Sequence, residues 1–113
     1  MKIDFQNIAA EAVEGFKGGK GEMLMRAFDG CGCRVMLNTL RPGAEVGTHR
    51  HEGNCEVVYA LKGCATFQIS DADGRRTETV AEGCAHYCRE GGCHSFKNDT
   101  GEDFVFLAVV PKQ

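Results

Sequence analysis

Apolar and polar residues alternate over short stretches of this chain, and each stretch is closed by glycine, proline or an acidic turn. Residues 22–28 and 34–40 flank Asp29-Gly30-Cys31-Gly32, the pattern of two strands joined by a hairpin. Arg41-Pro42-Gly43 makes a turn. The β-rich run 55–61 ends at Gly63, and 65–69 follows it. Asp71-Ala72-Asp73-Gly74 marks a second hairpin that returns through 77–80, and Glu82-Gly83 turns the chain into 85–88. Runs at 94–98 and 104–110 complete the set, with Pro111 stopping the last. Strands at this even spacing predict an all-β barrel or sandwich. The segment 8–14, rich in Ala and Glu, is the one helical candidate. It lacks a strong cap, so a strand crossing to a partner subunit is the competing expectation.

Length and charge narrow the picture. At 113 residues there is room for one core, read as an N-terminal arm or strand over 1–20 and a barrel over 21–113. A net charge of −3 with no Lys/Arg run argues against a nucleic-acid partner. The longest apolar run, 104–110, is too short to cross a bilayer, and the first residues lack the pattern of a signal peptide. A cytoplasmic location is expected. There the seven cysteines are free thiols rather than a disulfide framework.

The chemistry concentrates in a few positions. His49 and His51 sit two apart, so on a strand both imidazoles share a face while Arg50 points away. Glu56 opens the next strand after a short connection, which can bring its carboxylate beside the pair. His94 must come from another part of the sheet. Three imidazoles and a carboxylate suit one divalent transition metal (Fe, Mn, Ni, Co or Zn) rather than Ca or Mg. Four protein ligands leave one or two positions of an octahedral site for water, substrate or oxygen.

The spacing resembles that of the cupins. Gly43, five residues, His49-Arg50-His51, four residues, Glu56, six residues and Gly63 follow the first cupin motif. Gly83, Gly91, His94 and Asn98 follow the second, with Arg89 where proline is usual. The resemblance implies a single cupin barrel of the double-stranded β-helix or jelly-roll kind, with His49, His51, Glu56 and His94 as metal ligands. It further implies a metal-dependent enzyme acting on a small polar molecule, of dioxygenase, isomerase or lyase type. The alternative is a non-catalytic module that binds or senses a sugar or organic acid.

Other residues carry weaker expectations. His86 and Tyr87 are the candidates for an acid–base group near the metal. Cys84, His86 and Cys88 share a face of their strand if it is regular. Cys55 and Cys93, each beside a ligand, should turn their thiols away from the metal, and Cys31-Gly32-Cys33 lies in a turn. Arg41, Arg50 and Arg89 are possible anion guides near the mouth, with a solvated surface charge as the ordinary reading of each. Val57, Tyr59 and Leu61 make the outer face of their strand apolar, which predicts a homodimer.

Overall fold

A computed structural model describes residues 1–112. Ten strands are present: β1 (Glu11–Glu14), β2 (Glu22–Asp29), β3 (Cys33–Leu40), β4 (Glu45–Arg50), β5 (Glu56–Lys62), β6 (Cys64–Asp71), β7 (Gly74–Ala81), β8 (Ala85–Cys88), β9 (Cys93–Lys97) and β10 (Phe104–Pro111). They form two antiparallel sheets, one ordered β1-β2-β3-β10-β5-β8 and the other β4-β9-β6-β7. The neighbours β3–β10, β10–β5 and β4–β9 are far apart in sequence, the long-range pairing of a jelly-roll barrel.

Side-chain alternation fills the barrel. Met23 and Met25 of β2, Met36 and Leu40 of β3, and Phe104, Phe106 and Ala108 of β10 point inward from one sheet. Val46, Phe67, Ile69 and Phe96 meet them from the other. The Phe67 and Phe96 rings stack with centroids 4.4 Å apart, and Phe96 meets Phe106 edge-on at 5.4 Å. Burying aromatic rings of this size supplies much of a small core's stability. The edge strand β7 is exposed except at Ala81's neighbour Val80 and carries Arg75, Arg76 and Glu78, charges that discourage pairing with another sheet.

Segment 8–14 is not helical. Its last residues form β1, which pairs with β2 of the same chain, Glu11 opposite Met25 and Glu14 opposite Glu22. The Arg26 guanidinium donates to the carbonyl oxygens of Phe5 (3.1 Å) and Ile8 (2.5 Å), tying the short 3-10 turn over Phe5–Asn7 to β2 just before β1 begins. Free edge bonds on β2 and this arginine outweigh the weak helical preference of a short Ala/Glu stretch.

The end of the barrel away from the histidines is closed by Asn98, which is fully buried. Its Nδ2 donates to the carbonyls of Leu40 (2.9 Å) and Glu102 (2.7 Å), and its Oδ1 accepts from the Thr100 amide (3.1 Å) and hydroxyl (2.7 Å). Its own backbone is bonded to Ala44 and Gly43. Arg41 stands nearby, paired with Glu22 (3.3 Å) and Asp103 (3.0 Å).

Candidate metal centre

Four side chains from three places in the sequence converge at the opposite end. His49 sits on β4 directly across from His94 on β9, after a bulge that shifts the register between Val46 and His49. His51 lies one residue past β4, yet its backbone N–H still bonds to Gly92 and its carbonyl accepts from Gly91, so its ring stays on the same side as His49. Glu56 is the first residue of β5 and points inward ahead of Val58 and Ala60. His51, Glu56 and His94 are buried, and His49 is half-buried.

The ligand atoms lie within 4.8 Å of one another. His94 Nε2 stands 3.0 Å from both His49 Nε2 and His51 Nε2, and Glu56 Oε1 lies 3.0 Å from His94 Nε2 and 3.2 Å from His51 Nε2. Adjacent ligands of an octahedral ion with bonds of about 2.1 Å stand about 3.0 Å apart. The residues present fit such an ion.

The opposite nitrogens support the same reading. His49 Nδ1–H donates to the Gly47 carbonyl at 2.8 Å, and His51 Nδ1–H to Asn54 Oδ1 at 2.6 Å. His94 Nδ1–H faces His86 Nε2 at 2.9 Å, and His86 Nδ1 faces Glu78 Oε1 at 3.5 Å. With each Nδ1 hydrogen taken up behind, the three Nε2 lone pairs turn to one common point. This is how partners behind a metal-binding histidine fix its tautomer and its angle.

Electrostatics agree. Burial pushes Glu56 up, but the His51 and His94 rings, which bond to it through Nε2 when protonated, outweigh burial and bring the carboxyl down to about 2, so the carboxylate is ionised. The Glu56 hydrogen bond raises His51. Burial lowers His49 against the pull of the Gly47 carbonyl. Burial, then the charge of His94, lowers His86 to about 4, which keeps it a neutral acceptor for His94. Burial, then Glu56, pushes the Cys88 thiol up to about 11, so it stays protonated and is no thiolate ligand.

A cavity of about 490 Å³ opens from the cluster to the surface and is lined by His49, His51 and Glu56. Lys17, Arg34, Arg50 and Lys112 stand in its wall against the carboxylates of Asp29 and Glu56, four cations to two anions in a chain of net charge −3. Lys17 is carried by a tight turn over Phe16–Gly18 and has a left-handed backbone, φ 57°, which costs a side-chain-bearing residue roughly 1 kcal/mol or more. The turn packs close on β4: a Cβ at Gly19 would strike the Glu45 carbonyl, and one at Gly47 the Lys17 carbonyl.

The remaining candidates fall on both sides of the expectation. His86 and Cys88 point inward, whereas Cys84 precedes the strand and is exposed. His86 stands behind His94 and does not line the open cavity. Tyr87 is 59% exposed on the outer face of β8, so the structure does not bring it to the cluster. Cys55 is buried, Cys93 half-buried, and Cys31 exposed in its turn. Of the three arginines expected at the mouth, Arg50 lines the cavity. Arg41 closes the far end. Arg89 pairs with Asp71 (3.3 Å) and Asp73 (3.0 Å), tying the loop after β8 to the β6–β7 hairpin. That ion pair is the structural use of the cation standing where proline is usual. Lys17, Glu78 and Asn38 were not singled out from the sequence. Only Asn38 gave a signal, as a polar residue in the inward series Met36, Asn38, Leu40.

Comparison with known proteins completes the description. Residues 36–110 match the model of the cupin domain family Cupin_2. An oxalate-binding protein of Thermotoga maritima is 30% identical over 118 residues, covering 97% of this chain and 93% of its own. The crystal structure of a predicted oxalate decarboxylase from Thermotoga maritima superposes with TM-score 0.89 at 28% identity, covering the whole of both chains. A variant of oxalate decarboxylase from Bacillus subtilis superposes with TM-score 0.78 at 25% identity, over 99% of this chain and 29% of that one. No helix is long and apolar enough to cross a membrane among the described residues.

Proposed function

Because the chain belongs to the cupin family, we propose that it holds one divalent transition metal on His49, His51, Glu56 and His94 and acts as a metal-dependent enzyme on a small carboxylate of the oxalate class. The observation that carries this reading is the open cavity, with the ligand cluster on its wall and an excess of cations around it. When bound, the metal supplies a Lewis acid that polarises a coordinated carboxylate. The protein's part is to bind and orient. Lys17 and Arg50 stand in the cavity wall, Arg50 also donating to the Gly91 carbonyl at 3.2 Å and lying 4.0 Å from Glu52, while Arg34, held by Asp29 at 2.9 Å, adds positive potential. Phe16, Met36 and Val110 give that wall an apolar portion that limits water around the bound group. The likeness to proteins named for oxalate binding and oxalate decarboxylation supports the substrate class and a lyase type of reaction.

A second reading has its own support. Neither His86 nor Tyr87 lines the cavity, and the curated relative is named for binding alone. A module that binds the carboxylate without turning it over fits these facts. We further propose a cytoplasmic homodimer: seven cysteines suit a reducing compartment, and Tyr59, Leu61 and Tyr87 expose an apolar patch on adjacent strands.

Elemental analysis of protein purified without oxygen and without an affinity tag comes first, followed by titration with oxalate and assay of carbon dioxide and formate. Near-stoichiometric metal with product release is the expected result. Metal and binding without turnover favours the binding module. Absence of metal, with none taken up when each ion is added back, overturns the reading.

A further inference from the structure

Between the cluster and the core lies a small cavity of about 20 Å³. A single water needs about 10–15 Å³ and two or more polar partners. Three polar side chains reach this space: His49 and Glu56 from the cluster, and Asn38 from the middle of β3. The rest of the wall is apolar, Met36 and Phe106 among it.

Asn38 is 2% exposed. Its Oδ1 has no hydrogen-bond partner among the described residues, and its Nδ2 meets only the Met36 sulfur, a weak acceptor, at 3.9 Å. Leaving a buried amide oxygen unbonded costs about 1–3 kcal/mol. An apolar residue at this inward position would avoid that cost, as Met36 and Leu40 do on either side. Asn98 shows what a structural asparagine looks like in this fold, with both ends of its amide satisfied by the chain. Asn38 is therefore kept for a partner that is not part of the chain, and the space beside it fits one oxygen atom with its hydrogens.

We propose that Asn38 and Glu56 bind one water molecule in this inner cavity, and that the water is a protein-held ligand on the core side of the metal. One of its hydrogens goes to Asn38 Oδ1 and the other to the Glu56 carboxylate, which leaves a lone pair for the ion. The open cavity is then the side at which substrate exchanges. The second half of this proposal rests on the metal reading above; the first half does not.

Mn(II) loaded into the protein serves as the probe, and electron-spin-echo spectroscopy in deuterated and 17O-enriched water counts the waters on the ion. Asn38→Leu, close in size but without an acceptor, should lose one water relative to the parent while metal stoichiometry stays near one. Asn38→Asp, which retains an acceptor, should keep the parent count. An unchanged count in Asn38→Leu overturns the proposal. Should Asn38→Leu not fold, or should the parent take up no metal, a high-resolution structure of the metal-free parent decides. An ordered water bonded to Asn38 supports the inner site, and a dry cavity overturns it. The metal stoichiometry, measured separately, shows whether the metal reading has failed on its own.

Discussion

The two ends of the barrel bury polar side chains to opposite effect. At one end Asn98 spends every donor and acceptor on its own chain: Leu40, Glu102 and Thr100 use its amide, and Ala44 and Gly43 use its backbone. At the other, the far nitrogens of His49, His51 and His94 bond within the chain, while His94 Nε2 stands 3.0 Å from both His49 Nε2 and His51 Nε2, with Glu56 Oε1 beside it. Neutral imidazole nitrogens that each carry a lone pair repel at such a distance, so a cation is what this end accommodates. Both ends derive from the same two motif regions. One is complete as folded and the other is complete only with something bound.

Breaking the contrast at the open end has the largest effect. His94→Ala and His49→Ala should each reduce metal content from near one per chain to near zero in the folded fraction, with circular dichroism checking the fold, since His94 is fully buried beside Phe96 and its truncation also opens a cavity. Asn98→Ala should do the reverse. It strands the buried Leu40 carbonyl and removes the acceptor of the Thr100 amide and hydroxyl, lowering stability by about 3 kcal/mol in urea melts while the metal content of the folded fraction stays unchanged. His86→Phe tests the support behind the ligands. Loss of the acceptor for His94 Nδ1 should weaken metal binding about 10- to 100-fold in a chelator competition, and His86→Gln should restore part of it.

pH sharpens the comparison with smaller effects. Protons compete with the metal for Nε2, and the Glu56 hydrogen bond raises His51, so occupancy should start to fall above the ordinary histidine value of about 6.5 as the solution is acidified. The Asp71 ion pair on the β6–β7 hairpin responds lower down. Arg76 holds Asp71 well below the usual carboxylate range, so the stability from that pair is fully present above about pH 4 and is lost as pH falls through the folded value. Asp71→Asn should flatten the thermal stability profile below pH 4 and leave metal content at neutral pH untouched.

The barrel was legible in the sequence because each strand is short, alternating and closed by a turn residue; β2, β3 and β5 through β10 fall where the pattern puts them. The cluster was legible because His49, His51, Glu56 and His94 are residue types of metal chemistry at family spacing, and the structure brings the four together. Segment 8–14 was ambiguous because its state is decided by the edge of β2 and by Arg26, both distant in sequence. Whether Arg41 and Arg89 stand at the mouth was open for a similar reason: a charge pattern does not reveal that Glu22, Asp103, Asp71 and Asp73 are already their partners. Lys17 could not be placed at the cavity without the turn that packs on β4.

The backward hydrogen bonds of the three histidines have a consequence for how the protein comes to be loaded. Gly47, Asn54 and His86 belong to the chain itself, so the ring angles are held by groups that do not depend on which ion is bound. Nitrogen-rich sites rank the divalent ions of the first transition row in much the same order whatever protein surrounds them. With the rings held alike for every such ion, availability in the surrounding pool joins ligand type in deciding which element the proposed site would take.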